Sequence, residues 1–544
     1  MSGREIPAAH SVLSDEAVGF AIGLVEASGV ASRLESLLAR TTGRPRILRV
    51  EALLVALLLL GLDDRALHLK AVTKLLFVRL SPRWRERLGV SGDASSRKSL
   101  AARYRQVRYL FHLCCSVIDP SIEVKNRVIP TDELKAMRTA LSDVEVARRR
   151  TRLESVVADL VGSSLELLSD EERNGFDGSV GLDATVVPLW SRGPSLSKNR
   201  SASDPDGGWY VREGDHRDQI GPGGKKLRKL FWALEATIAV MGRPPGSVPT
   251  YPNLVLGVSL GRPGEDPGGS ATRLLASLRA RGYQAGFLGA DRGYTQCLPE
   301  HFHLPARALD YKVVMDYKAA ELGVEANSRG AVLVDGAFYC PAMPEALVTA
   351  SADHRAGTID KATYEKRIAS RVSWRLVRKQ GPDKDGYERF SCPAQGDHPK
   401  LCCPLRPGDK ALGKIPVLSP PASPPKCCTQ SAITIAPDVG ARFRQDLAFG
   451  SVEWAETYAA YRNTIEGLNG FMKDSAHENL AAPGRRRVRG IAAQSVFVAI
   501  LVMAANIRKI AAHRALVAEG LGQKVAMRAK RRRMSLADHE PPPP

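Results

Sequence analysis

The spacing of apolar residues changes once along this chain, near residue 178, and that change limits the folds open to it. From residue 12 to about 170, amphipathic runs such as DEAVGFAIGLVEASGVASRLESLLA repeat at helical spacing, with no strand-like alternation. Downstream, SVGLDATVVPLW (179–190) is apolar and β-branched over the length of a buried strand. A Gly-, Ser- and Lys-rich loop follows as far as GPGGKKLRK, and then LFWALEATIAVM (230–241) and LVLGVSL (254–260) read as two more strands. SATRLLASLRARG (270–282) is a helix with a glycine stop, YQAGFLGADRGY (283–294) a strand ending in a turn, and DYKVVMDY (310–317) another strand. The order predicts an α/β fold, a mixed sheet covered by helices behind an all-helical N-terminal region.

From 318 to 449 this regularity is lost: the segment is Pro-rich and holds most of the cysteines, so it reads as an irregular or β insertion. Periodicity returns with a helix around Glu466 and an apolar helix ending near Asn506. The expected divisions are a helical region at 1–170, a core split into 175–317 and 450–512 by the 318–449 insertion, and a basic tail at 513–544.

Lys plus Arg outnumber Asp plus Glu by 78 to 58, a formal charge of +20 that points to a polyanionic partner, most commonly nucleic acid. Within the helical region, LSPRWRERLGVSGDASSRKSLAARYRQVRYLFHLC reads as a short helix, a turn, and a longer helix capped by Ser95 or Ser96. The first turns of that second helix carry Arg97, Lys98, Arg103, Arg105 and Arg108. That outline fits a helix-turn-helix reading head and, equally, a helical bundle with a basic outer face. VEALLVALLLLGL (50–62) and IAAQSVFVAILVMAANI (491–507) are short for a bilayer, and the second carries Gln494 and Asn506, so both read as buried helices. No signal peptide is legible, no membrane partner is expected, and the nine cysteines fit a reducing cytoplasm.

Three acids have defined settings. Asp183 interrupts an apolar strand, Asp291 stands where a strand opens into a turn, and Glu466 lies on the helix YRNTIEGLNGFMK (461–473). On that helix Arg462, Glu466, Asn469 and Lys473 share one stripe, while Tyr461, Ile465, Leu468 and Met472 form an apolar neighbour. Each feature alone has a plain alternative: a strand end, a turn former, a solvated polar face. Brought together, three carboxylates repel and raise one another's pKa, and divalent cations between them relieve the repulsion. Hard Mg²⁺ prefers such oxygen ligands, and two ions about 4 Å apart can drive in-line phosphodiester displacement.

The order Asp, Asp, Glu on this strand–helix plan resembles the DDE transposases of bacterial insertion sequences, whose core is ribonuclease-H-like. GLDAT around Asp183 and ADRGY around Asp291 are similar to that family's first two acid motifs. RNTIEGLNGFMK resembles its third signature, and Arg462, Glu466 and Lys473 match the spacing. The family's tyrosine slot falls on Ala459, with Tyr458 one residue early, so no tyrosine role is carried over. The resemblance covers 178–317 and 450–510.

It implies that Asp183, Asp291 and Glu466 are catalytic and hold two Mg²⁺ ions, with Mn²⁺ able to substitute. It further implies that Arg462 and Lys473 hold the DNA strand; Asn469, on the same stripe, either hydrogen-bonds DNA or has a capping or solvent role. The implied reaction is metal-dependent cleavage at element ends, leaving a 3′-hydroxyl that attacks target DNA. The implied partner is double-stranded DNA, met by a homodimer when two ends are paired, in a cytoplasmic, nucleoid-associated setting. A ribonuclease-H-like nuclease without strand transfer, or an inactive DNA-binding descendant, would share these motifs.

Basic segments GGKKLRK (223–229, with Lys225 and Lys226), RRRVRG (485–490, with Arg485, Arg486 and Arg487) and KRRR (530–533) are candidate phosphate contacts or plain solvated clusters. Cys340, Cys392, Cys402, Cys403, Cys427 and Cys428 crowd the insertion, with His398 among them; structural Zn²⁺ and reduced, unliganded thiols are the two readings.

Overall fold

The strand carrying Asp183, β1 (Val180–Pro188), is the axis of a six-stranded sheet. The structure is a computed structural model that describes residues 14–39, 46–92, 94–122, 124–195, 199–213, 228–247 and 250–520. The other strands are β2 (Gly208–Glu213), β3 (Arg228–Met241), β4 (Val255–Gly261), β5 (Phe287–Ala290) and β6 (Lys312–Met315). β1 runs antiparallel to β3 on one side and parallel to β5 on the other, and β6 extends the parallel half. The far edge of β3 is shared: its first half pairs with β2 and its second with β4, both antiparallel. The expected mixed sheet is therefore present. β2 was not expected; it lies in the stretch read as loop, because only GWYVRE separates two Gly-rich segments.

The main helices are α1 (Asp15–Ser28), α2 (Val50–Leu62), α3 (Arg97–Ser116), α4 (Asp143–Leu165), α5 (Pro267–Ala280), α6 (Val452–Lys473) and α7 (Ile491–Ala518). α3 starts as its sequence suggests: the Ser96 hydroxyl accepts from Ser99 N–H at 3.0 Å, and a reciprocal bond completes a capping box. The short helix before it, Pro82–Arg87, buries none of its side chains.

α7 is apolar all round, and a helix of that kind has to be enclosed. It packs on α2, α4 and β4. It is long and apolar enough to cross a membrane, yet 94% of its most apolar window is buried inside the protein. Its polar residues have partners. Asn506 donates from Nδ2 to the Val255 carbonyl at 2.9 Å and accepts from Val255 N–H at 2.9 Å, closing the entry to β4. Gln494 donates to the Val488 carbonyl at 2.8 Å. At the other end, Asp204 and Asp206 accept from Gly490 and Ile491 N–H at 3.1 and 2.8 Å, so two carboxylates meet the positive end of the helix dipole.

The helical region and the sheet share one continuous apolar core, running from Ala17 through Val180 and Leu288 to Ile510. The division expected near 170 is a change of secondary structure, not a packing boundary. The insertion differs: it has two apolar clusters of its own, a three-stranded sheet (Val324–Ser328, Ala331–Val334, Ala337–Tyr339) and a second one (Val377–Gln380, Glu388–Ser391, Ile433–Ile435). It also contains helices Ala350–Ala356 and Lys361–Arg371, which the irregular reading did not include. A buried Arg371–Asp335 ion pair at 2.6 Å joins the second of these helices to the first sheet.

Candidate active site

Two glycines decide where the site forms. In the parallel β1–β5 ladder Gly181 lies opposite Gly289, followed by Leu182 opposite Ala290. Side chains alternate between faces, so Asp183 shares a face with Gly181, and Asp291 shares one with Gly289. The missing side chains open a floor for α6. A Cβ on Gly289 would stand 2.7 Å from Tyr461 Cβ, and one on Gly181 would stand 2.6 Å from Ile465 Cδ1. Tyr461, Ile465, Leu468 and Met472 are all buried, so the predicted apolar stripe is the packed one. With that stripe seated, Glu466 is carried to the point where β5 ends at Asp291, beside Asp183 in the middle of β1.

Asp183, Asp291 and Glu466 line one small open cleft, together with Tyr458 and Arg462. Asp183 is largely buried. Burial pushes its pKa up to about 6, and the Asp291 charge adds to the rise, while the Ala184 N–H, Lys473 and Arg462 oppose it. Asn469 Nδ2 donates to Asp183 Oδ2 at 2.9 Å. Asp291 accepts from its neighbour Arg292 N–H at 2.7 Å and from Arg462 Nη1 at 3.0 Å. Arg462 Nε also donates to Glu466 Oε1 at 2.9 Å. One guanidinium thus joins two of the three acids, and the Tyr458 hydroxyl accepts from it at 3.3 Å. Tyr458 is held flat on Trp454, ring centroids 5.3 Å apart and planes 7° from parallel.

Among the described residues no group of three or more His, Cys, Asp or Glu side chains is placed to hold a metal ion as it stands. Arg462 is the cation bridging Asp291 and Glu466. The donor set nevertheless suits a hard dication: three carboxylates, and beside them the buried Asn469 Oδ1, which has no hydrogen-bond partner.

Several expectations change here. Asn469 is buried, 8% exposed, and its amide orients Asp183, so it does not face a DNA strand. Arg485 and Arg486 are structural. Arg485 donates to the Asp64 carbonyl at 2.7 Å, and Arg486, fully buried, donates to the Leu480 carbonyl at 2.9 Å. Of that run Arg487 alone is exposed, its guanidinium 4.2 Å from the centre of the Trp190 ring. Lys473 is half-buried and close enough for its charge to act on Asp183. Lys225, Lys226 and the 530–533 cluster lie outside the described residues. Tyr458 is a cleft residue that motif spacing passed over; its i, i+4 relation to Arg462 was the signal.

No family model, no curated protein and no solved structure matches the chain.

Proposed function

We propose that this chain is a DDE transposase with a ribonuclease-H-like core, cutting DNA at element ends and joining them to a target. One observation carries the reading: three acids separated by long stretches of sequence line a single cleft. The chain order supports it as well: β1, β3, β4, α5, β5, a short helix His303–Ala308 and β6 precede the insertion and α6, with β2 an added edge strand between β1 and β3 in sequence.

In this reading Asp183 and Asp291 hold the metal ions and Glu466 completes the set. Bound Mg²⁺ would supply an activated water or hydroxyl and stabilise the departing oxygen. The chain's own groups do the rest. Asn469 fixes the Asp183 carboxylate from below. Arg462, half-exposed on a long side chain, neutralises Asp291 and Glu466 and is within reach of a phosphate entering the cleft. Lys473 adds positive charge behind Asp183. Arg97, Lys98, Arg105 and Arg108 on the exposed face of α3, with Arg487, which lines one cavity together with Arg108, serve the flanking duplex. Double-stranded DNA is the partner, two copies pair the ends, and the cytoplasm is the setting.

The Arg462 bridge also favours a second reading, a catalytically silent descendant that binds DNA with its acids permanently paired. Incubation with Mg²⁺ and element-end DNA separates the two, with Asp183→Ala, Asp291→Ala and Glu466→Ala as controls. Cutting and joining by the wild type alone is the expected result. Cutting without joining leaves a nuclease, and equal inactivity of all four proteins leaves the binder.

A further inference from the structure

The insertion closes around five buried cysteines. Cys340, Cys392 and Cys403 belong to one of its apolar clusters, Cys427 and Cys428 to the other, and Leu405 packs against both. Three of the five open the same turn. In Cys340-Pro-Ala-Met343, Cys392-Pro-Ala-Gln395 and Cys403-Pro-Leu-Arg406 the last N–H donates to the cysteine carbonyl, at 3.0, 3.2 and 2.9 Å. Cys428 closes a fourth turn, its N–H donating to the Pro425 carbonyl at 2.8 Å. In the three Cys-Pro turns proline in the second position presets φ, whereas in the fourth Pro425 stands first and Cys428 last.

The Cys340 and Cys392 sulfurs also have like environments. In the Cys340 and Cys392 turns the N–H two residues on, of Ala342 and Ala394, donates to the sulfur, a contact that favours thiolate over thiol. Cys340 is electrostatically coupled to Cys392, Cys403 and Cys428, Cys392 to the other two, and Cys428 to Cys403. Without a cation, burial pushes the Cys340 thiol up to about 12. The Arg406 charge acts on Cys392 and Cys428 in the opposite sense.

We propose that Cys340, Cys392, Cys403 and Cys428 form a tetrathiolate site for a structural Zn²⁺ ion that ties the two clusters of the insertion together. The four sulfurs do not converge on one point as they stand. Holding the ion therefore requires the four side chains to turn inward to the Zn–S distance of about 2.3 Å when it binds. Binding releases four thiol protons to solvent and leaves a site of charge −2 beside Arg406. The other thiols differ in placement. Cys427 is electrostatically coupled to Cys428, Cys340 and Cys392 as well, its Sγ 3.9 Å from Cys428 Sγ, but it packs toward the turn at Gly330; Cys402 is half-exposed on a two-stranded ladder. His398 is exposed. The site is independent of the function proposed above, since a protein with no action on DNA would hold zinc equally well.

Elemental analysis of the full-length protein, purified without chelator, tests this. About one zinc per chain is expected, and less than about half an equivalent, or iron in its place, overturns the proposal. Cys340→Ser, Cys392→Ser, Cys403→Ser and Cys428→Ser should each lose the zinc, while Cys427→Ser and Cys402→Ser keep it; zinc retained in any of the first four assigns the metal elsewhere. Should those variants fail to fold, Co²⁺ exchanged into the wild type decides. Sulfur-to-cobalt charge-transfer bands with tetrahedral d–d bands support four thiolates, and their absence refutes them.

Discussion

Asp183 carries a charge that its surroundings oppose, and its stability signature follows from that. In the metal-free protein its folded pKa of about 6 lies above the ordinary 3.8. Between those values the folded chain binds more protons than the unfolded one, so stability falls as pH rises through that window. The cost is complete above the folded pKa, absent below the unfolded one, and of order 2–3 kcal/mol. Asp183→Asn keeps an acceptor for Asn469 and removes the charge. In EDTA at neutral pH the variant should melt above the wild type, with the difference closing near pH 4. Mg²⁺ should raise the wild-type Tm and leave the variant's unchanged. A variant that melts lower at neutral pH, or both proteins responding alike to Mg²⁺, would refute this account of the carboxylate. At this scale Glu466, Arg462 and Lys473 were legible because they share one helix and one spacing. Asn469 was not, since its partner lies 286 residues away. Arg485 and Arg486 misled for a different reason: consecutive like charges read as an exposed phosphate-binding patch, and only the backbone carbonyls around them show that they are enclosed.

Among the elements, α6 and its glycine floor set the relative position of the acids. Each strand and the helix could be read from local pattern, though β5 is four residues long where a longer strand was expected. The contact between them could not be read, because a glycine in a strand has several uses and its partner is not adjacent in sequence. The two floor positions differ in how easily they yield. At Gly289 the obstruction is Tyr461 Cβ, fixed to the helix backbone; at Gly181 it is Ile465 Cγ1 and Cδ1, side-chain atoms that can give way a little further although a buried β-branched residue has little rotamer freedom. Gly289→Ala should therefore cost more than Gly181→Ala, both within about 1–3 kcal/mol. Gly289→Ala should also lift Glu466 away from Asp291 and depress DNA cutting beyond what lost stability explains. Urea denaturation of both variants beside a nicking assay at saturating Mg²⁺ checks the order. Equal costs, or full activity in Gly289→Ala, would show that the floor does not position the helix.

For the whole molecule, the decisive element is α7, which comes last among the described helices and packs among the first. Its composition announced burial but not where, and so the helical region was expected to stand apart from the sheet. The enclosure of α7 between α2, α4 and β4 merges the two into one core. Asn506 is the polar link at that junction, bonding both backbone groups of Val255 and, through Nδ2, the Ser164 hydroxyl of α4 at 3.0 Å. Asn506→Leu matches the volume but leaves the Val255 N–H and carbonyl buried without partners, at a cost of about 2–4 kcal/mol. Because sheet and helices share the core, they should still melt together, several degrees lower, with near- and far-ultraviolet circular dichroism moving in step. The insertion packs around clusters of its own, so protease resistance of 318–449 should be unchanged in the variant and should respond to zinc chelation instead. Melting of the α1–α4 helices ahead of the sheet would show that the shared core does not act as one cooperative unit. The cleft would then rest on the sheet and α6 alone, since it is by way of α7 and β4 that the basic face of α3 is fixed relative to Asp183, Asp291 and Glu466.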